Sequence, residues 1–260
     1  MARYTAGNDI FEIKGIYVKN FALMGAAGFV APRHMKAIQE TDNRLVVAVD
    51  PCDSVGIIDS FYPECDFFTD AVAFERELVR RRERGAGEAV DYVSICTPNY
   101  LHFDHIATAP EAGADAICEK PLVIQPHILD DLRKLEKRTG RRVYSIFQLR
   151  LHPSIIALKK KLESDPKRKK VDISLRYVTR RGPWYHVSWK GNDEKSGGLA
   201  MNIGVHFFDA LIWIFGGVQN SEVILSESDK VAGQLDLEWA RVQWHLSIDI
   251  NDIPDHYREK

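Results

Sequence analysis

The first half of the chain repeats one pattern: a short apolar run, a turn, then a longer stretch with apolar residues at helical spacing. Residues 21–24 read as a strand closed by Gly25, and residues 31–40 follow as a helix with Met35 and Ile38 on one face. Residues 45–49 are a β-branched run ended by Asp50-Pro51. Residues 71–84 form a charged amphipathic helix, and 92–96 a buried strand closed by Thr97-Pro98-Asn99. Residues 101–113 are a helix that Pro110 should kink or end early. Residues 114–118 are the next strand, and 126–139 a helix with proline in its first turn and Gly140 past its end. Residues 143–149 read as a further strand. Strands alternating with helices over short connections predict a parallel sheet covered on both faces, with a ligand crevice at the carboxyl ends of its strands. Gly25, Asp50, Thr97, Glu119, Lys120 and Gln148 fall at those ends and are expected along one crevice.

Beyond residue 150 the pattern changes. Residues 154–164 read as a helix and 171–179 alternate as a strand. Residues 180–198 form a polar, aromatic, glycine-bearing loop of a length that accompanies function. Residues 203–215 are an apolar helix, and 222–226, 234–238 and 241–250 read as strands of an antiparallel sheet. The fold class is α/β: a doubly wound parallel sheet over 19–150, then an α/β domain over 151–260 with an open, mostly antiparallel sheet.

Composition narrows the partners. The 260 residues carry 45% apolar and 28% charged side chains, within the ordinary globular range, and a formal charge of −2 gives no global pull toward nucleic acid or an anionic membrane. The basic runs at Arg80–Arg84, Lys159–Lys161 and Lys167–Lys170 have no interleaved aromatics and read as solvated faces. The four cysteines, at 52, 65, 96 and 118, include no CxxC pair, which suits reduced thiols and a cytoplasmic protein. No apolar stretch is expected to span a bilayer, and the apolar run 21–31 reads as strand, turn and helix start rather than a signal peptide. His102 and His105 lack a third ligand at motif spacing, so no metal site is expected.

Gly25-Ala-Ala-Gly28-Phe29-Val30-Ala31 is a GxxGxxA form of the dinucleotide fingerprint. Its glycines permit a tight turn and close approach of a pyrophosphate, and a helix N-terminus follows to supply amide donors. Asp50, 22 residues after Gly28, is placed to accept ribose hydroxyls and to repel a 2′-phosphate, which favours NAD over NADP. Lys120, forced out of helical geometry by Pro121, is placed to project into the crevice. His206 and Asp209, three apart, share a helix face, so that the carboxylate is expected to orient the ring.

These features, in the order glycine turn, acidic strand end, Thr97-Pro98-Asn99 with His102, Glu119-Lys120-Pro121, and Gly198…Asn202-x-Gly204-x-His206-x-x-Asp209, resemble the Gfo/Idh/MocA oxidoreductase family from about Asn20 onward. The resemblance implies a Rossmann domain followed by an α/β domain, and oxidation or reduction of sugars and polyols with NAD. It implies catalysis by Lys120 and His206, with the base assigned to His206 and alkoxide stabilisation to Lys120, or the reverse. The cofactor-binding set then comprises Gly25, Gly28, Phe29, Val30, Asp50, Ser54, Thr97, Asn99, His102, Glu119, Lys120 and Gln148. The substrate-binding set comprises Lys120, Arg150, Arg180, Tyr185, Lys190, Asn202 and His206.

Longer phrases, among them ALMGAAGFVAPRHMKAI, ICEKPL, QLRLHP and RGPWYHVSWKG, resemble family members that oxidise the 3-hydroxyl of UDP-N-acetyl-2-amino-2-deoxyglucuronate for the O-antigen of lipopolysaccharide. That implies a UDP-sugar uronic acid as substrate, 2-oxoglutarate as an electron acceptor, and a homo-oligomer, dimer or tetramer. Another sugar or sugar nucleotide, and a non-catalytic dinucleotide sensor, are the competing functions. Asn202 stands where many members have Asp, which leaves proton transfer to His206 and Lys120. The resemblance also implies that residues 1–18 are an extension, with Val18 a candidate true start, and that the second domain is incomplete at Lys260.

Overall fold

The computed structural model describes residues 18–253; the reading of the N-terminal extension lies outside them, Val18 apart. The chain starts with β1 (Asn20–Met24), α1 (Ala31–Glu40), β2 (Arg44–Val49), β3 (Asp66–Phe68), α2 (Ala71–Glu83) and β4 (Tyr92–Ile95). It continues through α3 (His102–Glu111), β5 (Asp115–Cys118), α4 (Ile128–Thr139) and β6 (Val143–Ser145). The strands form one parallel sheet in the order β3-β2-β1-β4-β5-β6. The order reverses between β1 and β4, where such sheets open a crevice at their carboxyl edge.

Burial on both faces explains the continuous apolar strands. Ala22, Met24, Val93 and Ile95 pack with Phe74, Leu78 and Ile106 on one face; Leu23 and Ala48 pack with Met35 and Ile38 of α1 on the other. Each buried Leu, Ile, Met or Phe contributes about 1.5–3 kcal/mol relative to exposure. Local signals set the helix ends. The Asp70 side chain accepts from the Ala73 N–H at 2.7 Å to start α2, and Gly140, at φ 68°, ends α4 in the left-handed region. Pro110 sits in the last turn of α3, which ends at Glu111.

The second unit holds α5 (Pro153–Glu163), β7 (Val171–Val178), α6 (Trp184–Val187), α7 (Asp193–Ser196), α8 (Val205–Phe215), β8 (Val218–Ser226), β9 (Lys230–Leu237) and β10 (Ala240–Ser247). Its sheet order is β7-β10-β9-β8. The helix α8 lays Leu211, Ile214 and Phe215 into one core with Leu235, Val242, Trp244 and Leu246.

The second sheet is mostly antiparallel, as expected: β9 pairs antiparallel with β10 and β8, and β7 runs parallel to β10. Three expectations need correction. The strand expected over 143–149 stops at Ser145, because Cys118↔Ser145 is the last β5–β6 pair, and residues 148–151 close into a 3-10 turn instead. The loop 180–198 contains α6 and α7. Finally, the helical segments between Asp193 and Phe215, interrupted at Gly197, are together long and apolar enough, by length and composition, to cross a membrane. Here they carry the site residues Asn202 and His206 and pack their apolar side on the second sheet.

Candidate active site

The floor of the crevice is bare backbone. Gly25 has φ 84°, and a Cβ there would lie 2.8 Å from the Cys96 carbonyl carbon and 2.9 Å from Thr97 N; a Cβ on Gly28 would lie 2.9 Å from Gly25 O. Only glycine lets the β1 turn nest against the end of β4. Ala31, fully buried, brings α1 close to the sheet; the Ala31 and Arg33 amides donate to the Gly28 and Val30 carbonyls, and Pro32 has no N–H. The Asp50 carboxylate closes the turn from the other side, accepting from Ala27 N–H at 3.0 Å and Cys52 N–H at 2.9 Å. A cavity of about 590 Å³ opens over Gly25, Gly28, Asp50, Cys52, Thr97 and His105. A floor with no room for Cβ, an open cavity above it and an acidic strand end fit the adenosine diphosphate part of a dinucleotide.

The reaction centre lies at the end of β5. Lys120 Nζ donates to the Asn202 backbone carbonyl at 2.9 Å. That carbonyl belongs to a π-helical turn, Ala200–Gly204, immediately before α8. Gly204 is needed there, since a Cβ would meet Leu246 and Phe208 at 2.7 Å. The Asn202 amide lies 3.4 Å from the hydroxyl of the buried Tyr185, to which it donates. Two residues past the turn, His206 has a buried Nδ1 that meets no hydrogen-bond partner among the described residues. Most buried polar groups are paired; His206 Nδ1 shares the unpaired state with few others, His245 Nδ1 and Ser145 Oγ among them.

Charge shapes both groups. Burial, and then the Lys120 ammonium, lower the His206 pKa to about 4, against the pull of Glu119 and Asp209. Its imidazole is therefore neutral at pH 7 and free to accept a proton. Burial also lowers the Lys120 pKa; Glu119 opposes this, while Lys190 and Arg181 push further down. The Lys190 ammonium lies over the rings of Trp189 and Trp184, at 4.4 and 5.8 Å, and burial lowers its pKa too. Three positive charges thus lie within electrostatic reach of one another beside the Asn202 turn, which suits an anionic substrate.

The structure thus brings together Lys120, Tyr185, Lys190, Asn202 and His206 and separates others from them. Asp209 does not orient His206: its two carboxylate oxygens take the Arg150 guanidinium, with Nε–Oδ2 at 2.7 Å and a shorter second bond from Nη2 to Oδ1. Arg150 is committed to that pair. Arg180 is exposed at the end of β7, and its neighbour Arg181 is the one whose charge reaches Lys120, Tyr185 and Lys190. His102 has no exposed surface; its ring nitrogens meet the Pro121 and Thr97 carbonyls at 2.7 and 2.9 Å, so it ties two strand ends together from behind the crevice. Asn99 is buried and donates to Ser196 O at 2.8 Å, latching the β4 end to α7. Ser54 is exposed and does not line the cavity, and the Phe29 ring stands exposed with Arg33 5.5 Å from its centre. Gln148 lines a second cavity of about 430 Å³ with His34 and Glu119. His34 was not among the expected site residues. The available signal for His34 was a polar residue on the same apolar face as Met35 and Ile38.

A dinucleotide floor that leads to a lysine and an unpartnered imidazole defines a dinucleotide-dependent oxidoreductase. Residues 19–147 match the oxidoreductase family, NAD-binding Rossmann fold, and residues 169–248 match that family's C-terminal alpha/beta domain. The chain belongs to the Gfo/Idh/MocA oxidoreductase family. The WlbA (WbpB) dehydrogenase from Thermus thermophilus, in a crystal structure with NAD and UDP-GlcNAcA, is 51% identical to it, with a TM-score of 0.88 over 93% of this chain and 78% of that one. A second crystal structure of that enzyme holds NAD and alpha-ketoglutarate. D-Glucoside 3-dehydrogenase of Escherichia coli is 27% identical over 48% of this chain, and 2,7-anhydro-N-acetylneuraminate hydratase of Mediterraneibacter gnavus is 26% identical over 76%. The chain spans only 36% and 50% of the lengths of those two relatives.

Proposed function

We propose that this protein is an NAD-dependent dehydrogenase that oxidises the 3-hydroxyl of UDP-N-acetyl-2-amino-2-deoxy-D-glucuronate to the 3-keto sugar, in the cytoplasm, for O-antigen synthesis. The observation that carries the reading is the unpartnered His206 Nδ1 on a ring within electrostatic reach of Lys120, which Arg181 and Lys190 also reach. The likeness to the Thermus thermophilus enzyme supports the choice of substrate.

NAD, when bound over Gly25, Gly28 and Asp50, supplies the hydride acceptor. His206 takes the proton of the sugar hydroxyl at Nδ1, which burial keeps neutral and available. Lys120, fixed by Asn202 O, donates to the oxygen as negative charge develops on it. Tyr185 holds the Asn202 amide, and Arg181 and Lys190 pair with the anionic groups of the UDP-sugar acid. The same cations suit 2-oxoglutarate as the acceptor that restores NAD, in line with the dicarboxylate held by the Thermus thermophilus relative. Copies of the chain associate through the uncovered face of the second sheet, where Ser174, Arg176, Gln243 and His245 line a shallow cavity.

Mass spectrometry of the sugar nucleotide after incubation with the NAD-loaded protein tests the reading. A product lighter by two hydrogens, labile at the oxidised carbon, is expected. An unchanged sugar acid alongside oxidation of a UDP-sugar that lacks the carboxylate would overturn the substrate assignment.

A further inference from the structure

Behind the crevice, a row of hydrogen bonds runs from α1 to the lysine. His34, on the buried face of α1, has Nδ1 2.6 Å from the Ser94 hydroxyl of β4 and Nε2 3.1 Å from Glu119 Oε1 at the end of β5. An ionised carboxylate only accepts, so Nε2–H donates to Glu119, and the Ser94 hydroxyl is left to donate to Nδ1. The other oxygen, Oε2, accepts from the Lys120 backbone N–H at 3.3 Å. The Ser-His-Glu order is that of a nucleophile, but Ser94 is buried beneath α1 and the row passes its influence to Lys120 instead.

We propose that His34 is a positioning residue of the reaction centre: it fixes the Glu119 carboxylate behind Lys120 and joins the phosphate-binding helix to the catalytic lysine. This rests on the dehydrogenase reading given above. The helix that His34 stands on begins at the glycine turn, three residues upstream, so a shift of α1 on the dinucleotide moves the group that holds Glu119. Glu119 is the anion that supports the positive form of Lys120, and with Asp209 that of His206. Burial pushes the Glu119 carboxyl up, and the hydrogen bond from His34, with the backbone bond and charge of Lys120, brings it down below the usual range. The remaining groups that face this pair are Cys96 just past β4, Cys118 on β5, His102 on α3, Lys190 and Arg181 on the α6 side, and Asp209 on α8. Burial holds both thiols protonated, so neither replaces Glu119 as an anion. Asp209 is paired with Arg150.

The test follows Lys120 itself, without turnover. In the full chain with NAD bound, the rate of Lys120 acetylation by acetic anhydride is read against pH by peptide mass spectrometry, in wild type, His34→Leu and His34→Gln. Removing the donor frees the Glu119 carboxylate, still ionised where Lys120 titrates, to turn away from the lysine, and so lowers the proton affinity of Lys120. His34→Leu is expected to move the Lys120 midpoint down by roughly one unit. His34→Gln, which keeps an N–H donor, is expected to restore most of the shift. Circular dichroism and NAD titration establish that each variant is folded and loaded. A Lys120 midpoint unchanged in folded, NAD-loaded His34→Leu overturns the proposal. So does an equal shift in both variants, because it would mark general disturbance of the core. Neither outcome touches the substrate assignment, which the mass of the sugar product decides.

Discussion

Arg150 and Asp209 form a two-bond ion pair that ties the 3-10 turn after β6 to the first turns of α8. The pair leaves Asp209 acting on His206 through its charge rather than a hydrogen bond, and makes it an anchor for the helix that carries the imidazole. Arg150→Ala and Asp209→Ala are each expected to destabilise the second unit, and the double variant to lose less than the sum. The coupling in urea unfolding should be about 1–2 kcal/mol. Additive losses would mean that the pair contributes nothing of its own.

Lys120→Met removes the only side chain that donates to Asn202 O in the pocket. Turnover of the sugar acid is expected to fall by about a hundredfold or more, while NAD binding, carried by the glycine floor and Asp50, stays within about threefold. Titration of nicotinamide binding alongside steady-state rates checks both.

His206 titrates against the ordinary direction for a histidine near a carboxylate. Its pKa in the fold is about 4, below the ordinary 6.5, because burial and Lys120 disfavour the cation. The unfolded chain therefore binds the proton first as pH falls through 6.5. His206 costs the fold nothing above that pH, and its destabilising contribution grows between 6.5 and about 4. The imidazole stays an available base throughout that window. Histidine-labelled NMR should show a resonance, absent in His206→Gln, with a midpoint near 4 that moves upward in Lys120→Met. A midpoint that does not move would separate the two groups.

Gly25→Ala places a methyl group against the Cys96 carbonyl in a left-handed backbone conformation. It is expected to lower stability by about 1–3 kcal/mol and to abolish measurable NAD binding. Gly140→Ala also stands at positive φ, but nothing lies within 4 Å of its added Cβ. It should cost about 1 kcal/mol and leave NAD binding unchanged. Thermal melts and NAD titration of the two variants separate turn strain from loss of the cofactor floor.

The parallel sheet was legible because each of β1, β2, β4 and β5 is apolar on both faces and is closed by Gly25, Asp50, Thr97 or Glu119. β3 was not, since three residues carry too little pattern. β8 and β9 run longer than their apolar residues suggest, because β8 is an edge strand whose Gln219, Asn220 and Ser221 are all exposed, and Gly233 gives Trp244 room in mid-strand. Among the site residues, Lys120 and His206 were readable from motif spacing. The partners of Arg150, Asn99 and His102 were not, because they lie across turns or across the two units: Asp209, Ser196, and the carbonyls of Thr97 and Pro121. The same holds for His34, whose partner Glu119 is 85 positions away.

The most direct test of the central claim is a single turnover. UDP-N-acetyl-2-amino-2-deoxy-D-glucuronate is added to protein loaded with NAD, and nicotinamide fluorescence is followed. A rise that saturates at one reduced nicotinamide per active site, and that disappears in Lys120→Met, is the predicted result. No rise in protein shown to hold NAD would contradict the assignment.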